Sequence, residues 1–202
     1  MRYGMVIDLR RCVGCNSCSV ACKQVNGTPP GVLRTKVLTT EKGSYPNVRL
    51  DFLPMLCMHC EQPECERVCP VGATVKQENG IVTIDQSKCI GCQFCVMACP
   101  YGARTFVEEV RSYFPDKGGM TAYEKARYAE HSAGVCEKCD FCKDRVEAGE
   151  QPACVATCGA KARVFGDLDD PDSEVSKLIA QKNGTQLLPE LGLSPSVYYI
   201  NR

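Results

Sequence analysis

Apolar and polar residues alternate along this chain in short runs broken by turns. Met5-Val6-Ile7-Asp8 reads as a short strand near the start. Thr28-Pro29-Pro30-Gly31 reads as a turn or extended loop. Residues 32–40 are β-rich with alternating polarity, and Val48-Arg49-Leu50-Asp51-Phe52-Leu53 alternates more strictly. Asn79-Gly80 stands between two further β-rich runs and predicts a hairpin over residues 74–85. Residues 104–107 and 162–166 read as strands. Residues 121–130 are polar with Ala and Tyr interleaved and suit a short surface helix. Asp172-Ser173-Glu174 caps a helix running to about Lys182, with Val175, Leu178 and Ile179 on one face. Val197-Tyr198-Tyr199-Ile200 is a candidate docking strand. No stretch is apolar enough to span a bilayer.

The length, 202 residues, suits one or two domains. The formal charge is zero, with 24 basic and 24 acidic residues, which argues against nucleic acid as the main partner. His59 and His131 are the two histidines, and there is no tryptophan, so a hydrolase or a histidine-based metal site has little material here. The N-terminus runs straight into the first cysteine group. That predicts neither a secretory signal nor a twin-arginine leader, so the chain either stays in the cytoplasm or is exported folded with a partner.

Cysteine changes the picture, because there are 17. Cys89-x2-Cys92-x2-Cys95-x3-Cys99-Pro100 has the spacing that wraps a loop around an iron-sulfur cubane. Three thiolates on a tight loop reach three corners, and the fourth is carried on to a neighbouring cluster. Motif one, Cys12-x2-Cys15-x2-Cys18-x3-Cys22, repeats the spacing but ends on Lys23. Motif two, Cys57-x2-Cys60-x4-Cys65-x3-Cys69-Pro70, has a longer middle step. In motif four we favour Cys139-x2-Cys142-x11-Cys154-x3-Cys158, which leaves Cys136 as a free thiol. The rival register, Cys136-Cys139-Cys142, leaves Cys154 and Cys158 unexplained. Tetrahedral zinc needs two pairs rather than x2, x2, x3 runs. A disulfide framework suits neither the closely spaced repeats nor the missing signal.

Exchanging the fourth cysteine between partner motifs gives an explicit assignment of four cubanes. One takes Cys57, Cys60, Cys65 and Cys99, and its neighbour takes Cys89, Cys92, Cys95 and Cys69. A third takes Cys12, Cys15, Cys18 and Cys158, and the fourth takes Cys139, Cys142, Cys154 and Cys22. The predicted fold is α+β: two pseudo-symmetric ferredoxin-like domains, each holding two [4Fe-4S] clusters, with loop insertions and a C-terminal extension. The first domain joins residues 1–24 to 135–170, and the second is 52–110. Insertions fill 25–51 and 111–134, and 171–202 forms the C-terminal docking extension. Gly14 and Gly91 either offer backbone N–H groups to sulfur or simply permit tight turns.

Several stretches resemble the four-cluster electron-transfer subunits of molybdopterin oxidoreductases, which accompany polysulfide, thiosulfate, dimethyl sulfoxide and arsenate reductases. They include Met5-Val6-Ile7-Asp8 with Cys12-Val13-Gly14-Cys15, Ala21-Cys22-Lys23 with Asn26, and Cys89-Ile90-Gly91-Cys92 through Cys99-Pro100-Tyr101-Gly102. Lys138-Cys139-Asp140-Phe141-Cys142, Pro152-Ala153-Cys154-Val155 and Phe165-Gly166-Asp167-Leu168 continue the likeness. Gly159 departs from it, standing where the family usually has proline, and Cys136 is additional. The resemblance implies a non-catalytic subunit relaying electrons between a large molybdenum or tungsten bis-pterin subunit and a membrane quinone subunit or other carrier. It also implies the outer face of the cytoplasmic membrane, reached with the catalytic partner; the alternative is the cytoplasm. Motifs one and four would face the catalytic subunit, and motifs two and three the membrane side. A free ferredoxin-like carrier is the rival function. A cluster that binds substrate would need a motif short of one cysteine, and none is.

Overall fold

The computed structural model describes residues 1–201. The chain opens with β1 (Tyr3–Asp8), α1 (Ser17–Asn26), β2 (Thr35–Ser44) and β3 (Asn47–Leu56). Then come α2 (Glu64–Arg67), β4 (Thr74–Lys76), β5 (Val82–Ile84), α3 (Phe94–Ala98) and β6 (Arg104–Val107). The second half carries α4 (Ala122–Tyr128), β7 (Val135–Lys138), α5 (Lys143–Glu147) and α6 (Ala153–Ala156). It closes with β8 (Arg163–Asp167), α7 (Glu174–Lys182) and β9 (Val197–Ile200). Among the described residues no helix is long and apolar enough to cross a membrane.

The first strand is central. β1 lies between β8, antiparallel with Met5 opposite Phe165, and β9, parallel with Met5 beside Val197. Alternate side chains leave opposite faces of a strand. Met5 and Ile7 therefore join Leu56, Phe141, Phe165 and Tyr199 in the main core. Val6 meets Val175 and Ile200 beneath α7. The capping of α7 follows the expectation, since Ser173 Oγ accepts the Ser176 N–H at 3.2 Å. Gly4 permits the close packing here: a Cβ would stand 2.4 Å from Leu168 and 2.6 Å from the Ser196 carbonyl.

Two stretches are built differently from the sequence-based division. β2 and β3 pair along their whole length, from Thr35 opposite Leu56 to Ser44 opposite Asn47, as one hairpin. The boundary drawn between residues 51 and 52 thus falls inside β3, whose inner end runs directly into Cys57. The C-terminal strand is core rather than appendage: Val197 and Tyr199 are fully buried, and the Tyr199 hydroxyl donates to the Pro54 carbonyl at 2.9 Å. The predicted surface helix is α4, started by a capping box between Thr121 and Glu124. It sits on the end of α1 through Tyr123 and Arg127, which donate to the Gln24 and Val25 carbonyls.

The cysteine helices meet in pairs. α1, from motif one, packs on α6, from motif four; α2, from motif two, packs on α3, from motif three. The Asn79-Gly80 hairpin joins β4 to β5, and β6 pairs with β7, the strand that leads into Cys139.

Candidate iron-sulfur centres

Each motif is a loop that turns through left-handed backbone before a short helix. Gly14 and Gly91 both sit at φ +69, followed by Asn16 and Gln93 at φ 60. The space at both glycines is already taken. A Cβ on Gly14 would meet the Phe52 ring at 2.4 Å, and one on Gly91 would meet the Gly134 carbonyl oxygen at 2.2 Å. Both glycines are thus required by turn geometry and by close approach.

In three of the predicted cysteine groups the thiols lie near enough to act on one another or to line one pocket. Cys60 faces Cys57, Cys65 and Cys99; burial first, and then these thiols, push its pKa up to about 12. Cys22, on α1, is raised to about 12 by burial and then by Cys154 and Cys142. Cys139 is pushed up by burial, then by Asp140, Cys22 and Cys154. Cys69, Cys89, Cys92 and Cys95 line one pocket together with Arg104 and Cys136. Of the remaining group, Cys12 and Cys15 lie on the first loop, Cys18 is on α1, and Cys158 follows α6. The packing of α1 on α6 sets the helix carrying Cys18 against the helix that precedes Cys158.

The donor set fits an iron-sulfur cluster. Among the described residues no three His, Cys, Asp or Glu side chains converge on a single metal ion. A lone zinc would draw its thiolates in to about 2.3 Å. Burial strips water from these thiolates and neighbouring thiolates repel them, and both raise the pKa values; a shared polynuclear cation relieves both. Backbone N–H groups already aim at sulfur. Ala73 donates to Cys69 at 3.2 Å, Ala162 to Cys158 at 3.3 Å and Phe141 to Cys139 at 3.4 Å. Asn26 adds a side-chain N–H to Cys22 at 3.4 Å. Such bonds to ligating sulfur orient the donors and tune the metal.

Some residues around the cysteines escaped sequence reasoning. His59 and Phe141 occupy the same place in their C-x2-C loops and stack with centroids 3.8 Å apart. His59 is fully buried, accepts the Val82 N–H at Nδ1 (3.0 Å), and leaves Nε2 without a partner. His131 is buried too, bound to Glu137 and to the Asn26 carbonyl. Cys136 is buried on β7 beside Cys95. Its nearness to Cys95, with help from Arg104 and against burial, lowers the Cys95 pKa. Arg104 and Arg163 are buried among the cysteines. The signal was present: each stands at the same step beyond a motif's last cysteine, Cys99 to Arg104 and Cys158 to Arg163.

Comparison with known proteins agrees with this donor chemistry. A 4Fe-4S dicluster domain family matches residues 48–114 and again 116–168, and a second 4Fe-4S dicluster family matches residues 11–73. The chain is 48% identical to a putative dimethyl sulfoxide reductase iron-sulfur subunit of Halobacterium salinarum, covering 98% of this chain and 79% of that one. The chain belongs to the iron-sulfur subunits of molybdopterin oxidoreductases. It is 47% identical to a selenate reductase subunit of Mesobacillus selenatarsenatis, across 99% of this chain and 72% of the relative. It is 39% identical to the arsenate respiratory reductase iron-sulfur subunit of a Shewanella species, across 99% and 96%. The subunit carries four [4Fe-4S] clusters and serves electron transfer.

Proposed function

We propose that this subunit relays electrons between a large molybdenum or tungsten bis-pterin catalytic subunit and a membrane quinone-reactive subunit or other carrier. Its place would be the outer face of the cytoplasmic membrane, reached with the catalytic partner. The relatives are named as subunits of reductases, which supports a catalytic partner here. The ligand sets are those of the cross-over assignment: Cys57, Cys60, Cys65 and Cys99; Cys89, Cys92, Cys95 and Cys69; Cys139, Cys142, Cys154 and Cys22; and Cys12, Cys15, Cys18 and Cys158. The observation that carries this reading is the packing of α2, from motif two, on α3, which leads into Cys99, so that Cys60 feels Cys99 of another motif as well as its own Cys57 and Cys65.

On this assignment the helix pairs α1–α6 and α2–α3 each organise one pseudo-symmetric ferredoxin-like domain with two clusters. Cys154 and Cys18 lie close enough for their charges to act on one another, which supports adjacency within the first pair. Cys139 and Cys57 do the same across the two pairs, beside the His59–Phe141 stack. The path then runs from the motif-one loop, through the motif-four and motif-two loops, to the motif-three loop. Val13 in the first loop and Ile90 in the last are each 64% exposed. The clusters, when bound, supply one-electron sites. The chain's own part is to hold them, exclude water and donate to their sulfurs.

Anaerobic isolation of the complex tests the proposal. Four cubanes require sixteen irons and sixteen acid-labile sulfides per chain, together with a co-purifying large pterin subunit. A full cluster count on a chain that purifies as a stable lone monomer would instead favour a free carrier.

A further inference from the structure

Arg104 and Arg163 are buried cations without carboxylate partners. They are 5% and 3% exposed, and among the described residues neither forms an ion pair with Asp or Glu. A buried charge without compensation is costly, so something else must answer it. Arg163 opens β8 and spreads its guanidinium between two motifs. Nη2 lies 3.5 Å from Cys18 Sγ, and Nη1 lies 3.6 Å from Cys154 Sγ. Nη2 also donates to Thr35 Oγ1 at 3.1 Å. The Thr35 hydroxyl gives its own proton to the Met55 carbonyl at 2.9 Å, so its oxygen is turned to accept.

Arg104 repeats the arrangement. It opens β6, and Nη1 donates to Thr74 Oγ1 at 3.0 Å. Nη2 is buried and has no hydrogen-bond partner, sulfur included. Arg104 lines one pocket with Cys69, Cys89, Cys92 and Cys95, and its charge acts on the thiols of Cys65 and Cys95. In both cases the two cysteines reached are the third of their motifs, and they belong to the two different clusters of one pair. Two forks, each steered by a threonine, thus occupy equivalent positions between paired donor sets.

We propose that Arg104 and Arg163 are shared counter-charges, each donating to ligand sulfurs of both clusters in its pair and raising both reduction potentials. This rests on the ligand sets of the cross-over assignment. Reduction adds one electron and makes the cluster more negative. A fixed cation and N–H donors at its sulfurs favour that state, and the arginine itself gives up no proton. One side chain then shifts two potentials together.

Redox-titrated EPR of the anaerobically purified complex tests this, comparing wild type with Arg163→Met, Arg163→Lys, Arg104→Met and Arg104→Lys. We expect full iron and sulfide in each. The Arg163→Met variant should lower the two potentials of the motif-one and motif-four pair, and Arg104→Met those of the motif-two and motif-three pair. Each fall should reach at least tenfold in the reduced-to-oxidised ratio, which is about 59 mV for one electron. The lysine variants keep the charge and should fall less. Four unchanged potentials, or a single potential moved per arginine, would overturn the proposal. If the arginine variants lose iron, Thr35→Val and Thr74→Val keep each arginine but remove its steering oxygen. The same two potentials must then fall, and unchanged values overturn the idea. A wild-type iron count short of sixteen would sink the cluster reading itself. A full wild-type count with unmoved potentials sinks this inference alone.

Discussion

Replacing Gly91 by alanine asks whether the left-handed turn or the close approach matters more in a cluster loop. Gly91 stands at φ +69, where an L-residue costs about 1–2 kcal/mol. Gly149 stands at φ +77 with nothing within 4 Å of the position a Cβ would take, so Gly149→Ala isolates the backbone cost. At Gly91 the new Cβ would also lie 2.2 Å from the Gly134 carbonyl oxygen. Carbon and oxygen normally approach no closer than about 3.3 Å, so something must move by about 1 Å. Gly134 is tied down by its N–H bond to the Val107 carbonyl at 2.7 Å, so much of the movement falls on the loop carrying Cys89 and Cys92. Overpacking of this kind costs about 1–3 kcal/mol more. Gly149→Ala should lower the melting temperature by about 2–8 °C, from 2–4 °C per kcal/mol at this size, with all four clusters retained. Gly91→Ala should lose the EPR signal of the cluster on Cys89, Cys92, Cys95 and Cys69 first, and release its iron to a chelator at lower temperature. Equal behaviour of the two variants, or first loss of another cluster, would refute the reasoning.

Further outcomes follow from single contacts. Cys99→Ala should damage the cluster on Cys57, Cys60 and Cys65; first loss of the signal from the motif-three cluster would mean the cross-over assignment is wrong. Tyr199→Phe removes the 2.9 Å bond to the Pro54 carbonyl and leaves that buried oxygen unpaired. It should cost about 1–2 kcal/mol by thermal melting while cluster spectra stay as they are. Burial opposes a charge on His131, but the Glu137 carboxylate and the Asn26 carbonyl override it and hold its pKa above 6.5. That stabilisation is fully present below about pH 6.5 and is lost as pH rises through the raised value. The urea midpoint should therefore fall from neutral to alkaline pH, and His131→Gln should flatten this part of the profile; an unchanged slope would show that His131 is not responsible.

The ligand chemistry was legible because it is local. Cysteines at x2, x2 and x3 steps lie on one loop and the helix after it, so spacing alone carries the cluster motif and suggests which thiol is passed to a neighbour. Asn79-Gly80 and Ser173 were readable for the same reason, since a hairpin turn and a helix cap depend on adjacent residues. Other features depend on residues distant in sequence. Nothing local tells that Val197–Ile200 lies parallel to the first strand, or that residues 35–56 form one continuous hairpin. Arg104 and Arg163 read as ordinary charges until burial among cysteines removes every carboxylate from reach. Cys136 reads as a spare thiol, and only the pairing of Val135–Lys138 with Arg104–Val107 places it beside Cys95. By itself the sequence determined that this chain carries iron-sulfur clusters, because the cysteine spacing that holds them is a short-range pattern. Tertiary structure alone decided which charges and hydrogen bonds surround those cysteines, because burial and pairing are settled by packing across the whole chain.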